Sequence, residues 1–373
     1  MPKEFTVTMP LKNIRVLDFS SLLPGPLATL WLLQAGAEVI KIEHPEGGDE
    51  MRQLDALLGE PGHIFEMLNR GKRSIAINLK EAGAIEKLAP LIRESDILVE
   101  QFRPGVMERL GLGYQSLKAI NPGLIYCSIT GYGQEGENSD KAGHDINYQA
   151  ESGLLELSVG PEGQPVLPPL LAADIAGGSW PAVMNIMLAL YAREQTGEGN
   201  YLDISMTNSL DPFLFWAKAM TVTRGKSPEP GRELFTGGSP RYQLYQTKDD
   251  RTLAVGAIEE RFWRDFCNAI SLPKEQIDDT DDPEGTLLAV RQRVSERTGS
   301  EWESVFAGRD LCCSLVVTVK ELCQKSGSID FKNASGLKSK ESGIELPLAP
   351  AYHADNTTRS SPALGEDNSF FLV

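Results

Sequence analysis

Ile14-Arg15-Val16-Leu17-Asp18-Phe19, Ser20-Ser21-Leu22-Leu23 and Pro24-Gly25-Pro26 form one continuous stretch, and its reading decides the fold. The first six residues have the apolar, β-branched character of a strand, and the next four are a turn. Proline at the first helical positions suits a helix start, because its fixed φ is already helical and its missing N–H needs no partner there. The helix is read through Leu33, Gly36 suits its stop, and Glu38 to Glu43 is the next strand.

Working outward, the alternation repeats. Ser74 to Leu79 reads as a strand, residues 82–93 as a helix, Ile97 to Glu100 and Leu124 to Thr130 as strands. A long helix is expected from Asp174 to Arg193, ended by the turn Gln195-Thr196-Gly197-Glu198-Gly199, followed by the strand Tyr201 to Ser205. Alternating strands and helices of this length imply an α/β domain, a parallel sheet with helices on both faces. The aromatic-rich stretch 212–220 reads as helical and 227–238, rich in Pro and Gly, as a linker. Tyr242 to Gln246 and Thr252 to Ala257 alternate like a hairpin, and Glu259 to Ile270 reads as a helix, which makes residues 225–315 a small α+β domain. The polar tail 346–373 ends on Phe370-Phe371-Leu372-Val373, an apolar run expected to dock.

The length, 373 residues, exceeds what one core serves, in keeping with a large domain plus a smaller one. The net charge of -16 repels nucleic acid and anionic membranes, so neither is an expected partner. It also demands that any polyanionic ligand meet a local positive cluster. Five cysteines (127, 267, 312, 313 and 323) lack metal or CxxC spacing, which reads as reduced thiols. Met1 to Pro10 has no signal-like apolar run, and the apolar stretch 182–192, interrupted by Asn185, is too short to span a bilayer. A soluble, cytoplasmic protein is the expectation.

The turn after the first strand carries one glycine, so the GxGxxG nucleotide fingerprint fails, and no GxxxxGK[ST] loop occurs. Only four histidines are present, at 44, 63, 144 and 353. His144 stands in Gly143-His144-Asp145-Ile146-Asn147-Tyr148, a helix start whose free N–H groups suit an oxyanion. Asp174, among small apolar residues before a helix, is either a helix cap or a carboxyl of raised pKa. Glu259 closes an apolar strand beside Glu260, where an exposed carboxylate is the ordinary reading.

Several segments together resemble CoA-transferase family III, the CaiB/BaiF-like family that contains the class III CoA-transferases and the α-methylacyl-CoA racemases. They are Pro24-Gly25-Pro26, Gly36-Ala37-Glu38-Val39-Ile40-Lys41-Ile42-Glu43, Asn69-Arg70-Gly71-Lys72-Arg73-Ser74, Arg103-Pro104-Gly105-Val106, Leu124-Ile125-Tyr126 and Gly131-Tyr132-Gly133-Gln134. The likeness runs from about residue 11 to 270, with Ala363-Leu364-Gly365-Glu366 similar to the family's closing motif. Gly-His-Asp-Ile-Asn-Tyr resembles the racemase branch. The resemblance implies an acyl-CoA isomerase of lipid metabolism in which His144 and Asp174 are the two bases and Glu259 supports His144. It implies coenzyme A contacts at His44, Arg73, Ile77, Asn78, Leu79, Lys80, Arg103, Gly143, Asp145, Ile146, Asn147 and Tyr148, with CoA entering only as part of the substrate and no metal.

The resemblance further implies a Rossmann-like large domain over residues 1–205, completed by about 325–373, with 206–224 and 316–324 as linkers to the small domain. It implies an interlocked homodimer whose sites join the large domain of one subunit to the small domain of the other. The cations Arg70, Lys72, Arg73 and Lys80 are expected to supply the positive field for CoA. His44 stands where racemases often have arginine, which weakens that phosphate contact or makes it pH-dependent. The alternative is a class III CoA-transferase, in which Asp174 is a nucleophile that carries CoA as an aspartyl thioester. The glycine run of formyl-CoA transferases is missing, with only Thr236-Gly237-Gly238-Ser239-Pro240 in its place. Arg241 needs a carboxylate partner, either from the protein, with Glu233 and Glu260 the candidates, or from a polar acyl group.

Overall fold

The computed structural model describes residues 9–57, 63–160, 163–325 and 360–372. The chain divides into two units, one of Met1–Ser152, Pro169–Phe213 and Ser328–Val373, the other of Gly153–Pro168 and Leu214–Gly327.

The first unit holds six strands: β1 (Arg15–Phe19), β2 (Glu38–Glu43), β3 (Arg73–Ala76), β4 (Ile97–Glu100), β5 (Ile125–Thr130) and β6 (Tyr201–Ser205). All are parallel, in the order β3-β2-β1-β4-β5-β6. Val16 of β1 sits opposite both Val39 and Ile97, so β1 is the centre from which the chain winds out first one way, then the other. In such sheets ligands bind beyond the carboxyl ends of the strands. Every residue of β4 and β5 is buried, because helices cover both faces. The helix Ala84–Arg93 shows how: Ala84, Leu88, Leu91 and Ile92 form one stripe against the sheet. Each leucine or isoleucine buried this way contributes about 2 kcal/mol.

The expected strand 74–79 stops at Ala76. The Ile77 N–H still donates to the Glu43 carbonyl at 2.9 Å, but the Asn78 Oδ1 then accepts the Lys80 N–H at 3.1 Å, a side-chain turn that competes with the ladder and frees residues 78–80. The free edge of β3 is closed by the end of the chain. Asp367 exchanges hydrogen bonds with the Ser74 backbone, and the Asn368 amide binds both N–H and C=O of Ala76. Phe371 and Leu372 then pack on the core. The apolar terminus docks as expected; residues 326–359, with His353 and much of the polar tail, lie outside the described residues.

The long helix corrects the sequence reading. A π-helical segment, Ala173–Ser179, runs straight into the α-helix Trp180–Thr196. The 24 residues Ala173–Thr196 are long and apolar enough, by length and composition, to cross a membrane. Asn185 does not interrupt it, because its amide is satisfied by the Pro181 carbonyl at 2.8 Å within the helix. Ala182, Ile186, Ala189 and Leu190 are buried, and the helix packs on β5, β6 and the helix Pro24–Gln34. Gly177 is required there: a Cβ would strike the Met206 carbonyl.

The second unit has an antiparallel sheet, β7 (Tyr242–Gln246), β8 (Thr252–Gly256) and β9 (Cys313–Leu315), around a core that includes Tyr245, Trp263, Phe266 and Trp302. It begins earlier than the sequence suggests, with Gly153–Pro168. The stretches read as linkers hold helices, Phe215–Arg224 and Val319–Lys325.

Candidate active site

His144 is exposed and extended (φ -126°), and the helix Asp145–Glu151 starts beside it. The Asn147 Oδ1 accepts the His144 N–H at 3.0 Å, while Tyr148, buried, donates its hydroxyl to the Gly143 carbonyl at 2.5 Å. A side chain at Gly143 would collide with the Tyr148 ring, so glycine there lets the ring anchor the turn that presents His144.

Asp174 does not cap its own helix. The cap is Asp145, whose Oδ1 accepts the N–H groups of Ala173 (2.7 Å) and Asp174 (3.0 Å), while its Oδ2 accepts the Gln149 amide at 2.5 Å. The Asp174 side chain is thus left without that duty. Burial, and after it the charge of Asp145, push its carboxyl up to about 7. A carboxyl that gains and loses a proton near neutrality suits general acid–base work. The sequence offered cap and raised pKa as alternatives for Asp174, and the structure assigns the cap to its neighbour.

The coenzyme A contacts inferred at His44, Ile77, Asn78, Leu79 and Lys80 line one cavity of about 520 Å³ at the carboxyl ends of β2 and β3. Phe102 and Arg109 join them. The walls are largely apolar with cations at the rim, which suits a flat heterocycle carrying phosphates. His44 Nδ1 lies 3.1 Å from the Glu46 N–H and 3.3 Å from the Glu46 carbonyl, so its own loop engages that nitrogen and Nε2 is the one turned to other partners. Arg103 is exposed in the turn after β4, and its charge acts on the Tyr148 hydroxyl. Arg109 was not found from the sequence; its only signal is a basic residue one turn after Arg103-Pro104-Gly105.

Two expected cations are engaged elsewhere. Lys72 is fully buried, bonded to Asp18, Thr29, Asn69 and the Pro26 carbonyl at 2.8 to 3.0 Å. Burial pushes it down to about 8. Arg73 pairs with Glu38 (3.1 Å) and Asp367 (3.3 Å) and lies over Phe370, so it holds the chain end. Arg70 is not among the residues lining the cavity, whose cationic lining residues are Lys80 and Arg109; Arg103 is exposed in the turn after β4.

Glu259 lies in the second unit, exposed at the start of the helix Glu260–Ala269, three residues beyond the end of β8. Arg241, in the same unit, has its partner inside the protein. Its guanidinium grips Asp279 through Nε (3.0 Å) and Nη2 (2.6 Å) and reaches Glu260 at 2.9 Å. Of the two carboxylates the sequence suggested, Glu260 is a partner and Glu233 is not, since it binds Arg224. Asp279 sits in the acidic loop before the helix Pro283–Ser295, too far along the chain to be read as a partner. A substrate carboxylate is not needed to satisfy Arg241.

The family described as CoA-transferase family III matches residues 11–368. The chain is 37% identical to an α-methylacyl-CoA racemase of Mus musculus, over 96% of this chain and 91% of the relative. It is 35% identical to a succinate–glutarate CoA-transferase of Agrobacterium fabrum, over 98% and 95%. Its fold is similar to the crystal structure of Rv3272 from M. tuberculosis, with a TM-score of 0.79, 27% identity, and 97% and 99% of the two chains covered.

Proposed function

Because the chain belongs to CoA-transferase family III, whose members process acyl-CoA thioesters, we propose that it is a racemase that inverts the α-carbon of a 2-methylacyl-CoA. The observation that carries this reading is the Asp174 carboxyl, relieved of capping and held at about 7. A covalent nucleophile works best as a fully ionised carboxylate, whereas a proton shuttle works best with a pKa near the operating pH. Inversion takes two such groups. One, Asp174 or His144, removes the α-proton and leaves a thioester enolate; the other returns a proton to the opposite face. Glu259 is assigned to hold the His144 ring from the partner subunit. The adenosine end of CoA is assigned to the cavity at His44 and Lys80, with Arg103 and Arg109 on its phosphates.

The second reading, CoA transfer through an aspartyl thioester at Asp174, is favoured by the similarity to the A. fabrum enzyme. Incubation with (R)-2-methylacyl-CoA in deuterated water separates the two. Racemisation predicts loss of the α-proton and appearance of the S epimer without any acceptor acid. Acceptor-dependent formation of a new CoA ester, with inactivation by hydroxylamine at Asp174, establishes the transferase instead.

A homodimer belongs to the same proposal. Trp180, Met184, Leu188 and Tyr191, each more than half exposed, make an apolar stripe along one face of the long helix. A patch of that kind suits a subunit interface. Sedimentation should give twice the chain mass, and Leu188→Glu should shift it toward the monomer. Co-expressed His144→Ala and Glu259→Ala subunits should regain about one working site per mixed dimer, because both lesions fall in the same other site. A wild-type monomer with full activity rules this out.

A further inference from the structure

The Asp145 carboxylate is 5% exposed and touches three groups: the N–H of Ala173, the N–H of Asp174 and the side-chain amide of Gln149. It is also the first residue of the helix that begins at His144. One side chain therefore ties the first turn of the Asp174 helix to the turn that presents His144, across 29 residues of chain.

We propose that Asp145 is a positioning residue for Asp174, fixing it relative to His144 so that both groups address one α-carbon. This rests on the reading of Asp174 as a proton-transfer group. A carboxylate at a helix N-terminus is stabilised by the free N–H groups it accepts, so it keeps its charge there at little cost. That charge faces Asp174 and, together with burial, raises its proton affinity. The other surroundings of Asp174 add little charge. The helix Pro24–Gln34 packed against it has no charged residue, and its own helix has none until Arg193. The helix Asp145–Glu151 adds Tyr148, whose hydroxyl is engaged by Gly143, and Glu151, paired with Lys141, besides the neighbouring His144 ring. β6 brings Asp203, whose carboxylate accepts the Gln134 N–H.

The test is the pH dependence of α-proton exchange in wild type, Asp145→Asn, Asp145→Glu and Asp174→Asn, with folding checked by thermal melts. Asparagine keeps an oxygen for the Ala173 N–H but removes the charge. The acid limb of the exchange profile should move down by roughly one pH unit, and the plateau should fall roughly tenfold. Glutamate keeps the charge but displaces it, so the plateau should fall while the limb stays. A lowered melting temperature alone, with an unmoved limb in Asp145→Asn, overturns the positioning role and leaves the Asp174 reading intact. Retained exchange, in Asp174→Asn, of the epimer that faces Asp174 overturns that reading and this inference with it. If Asp145→Asn does not fold, Asp145→Glu decides, and a wild-type plateau in that variant overturns the proposal.

Discussion

Asp174→Asn is expected to abolish racemisation of a 2-methylacyl-CoA and to lower α-proton exchange of the epimer that faces Asp174 by roughly a thousandfold, the usual span of a lost general base, while the epimer facing His144 keeps its exchange. CoA affinity, measured by calorimetry, should stay within about twofold, since the cavity at His44 and Lys80 shares no residue with the Asp174 turn. The substitution keeps the shape of the side chain and the backbone bond to Asp145, so the loss reports the carboxyl itself. The wild-type pH profile should carry the same group. Removal of a proton by Asp174 needs its ionised form, and the carboxyl sits at about 7, so exchange from the epimer that faces it should fall about tenfold per unit as pH drops below about 7. A rate that is flat down to pH 5 is incompatible with Asp174 as that base. Exchange of that same epimer surviving in Asp174→Asn at more than a tenth of the wild-type rate assigns the chemistry to another residue.

Asp18→Asn should destabilise the protein by about 3–5 kcal/mol, read as a lower urea midpoint at unchanged m-value. Asp18, Lys41 and Lys72 are fully buried beneath the turn after β1. Burial alone works against the charged form of Asp18, yet Lys41, Lys72 and the hydroxyls of Ser20 and Thr29 hold its carboxyl well below the usual carboxylate range. Lys41 is also paired with Asp49 at 2.9 Å and donates to the Ser20 carbonyl at 2.7 Å. Two negative and two positive groups thus balance, and asparagine leaves one buried ammonium uncompensated. Lys72→Met should cost a similar amount, and the double variant less than the sum, because each single change strands the other partner. The cluster ties the turn at Ser20 and the Pro26 carbonyl to the segment before β3, and so seats the helix Pro24–Gln34 on which the Asp174 turn packs. A loss below about 1 kcal/mol marks the cluster as replaceable by ordinary packing.

The same lysine shows where reading the sequence stops. Asn69-Arg70-Gly71-Lys72-Arg73 looks like a solvated basic loop, and charge count alone assigns it to a polyanion. Lys72 instead points inward to Asp18, 54 residues away, and Arg73 holds the chain end, so the cations that line the cavity are Lys80 and an arginine at 109 that the sequence did not single out. Strand and helix periodicity is local, and it was enough for a parallel sheet and for the hairpin of β7 and β8, while the order of β1 to β6 came only with the structure. Asn185 was misjudged for a related reason: a polar side chain interrupts an apolar run on paper, but inside a helix it can bond the carbonyl four residues back.

By itself the sequence determined the α/β class from local periodicity, and the resemblance of its short segments determined the family and singled out His144, Asp174 and Glu259 as the residues to examine. Only the tertiary structure decided that Asp145, not Asp174, caps the long helix, that Arg241 already has its carboxylate in Asp279, and that Lys72 is structural. Those outcomes depend on which groups share a buried volume, where water no longer screens charge or satisfies donors, and that proximity is set by the packing of segments 29 to 54 residues apart.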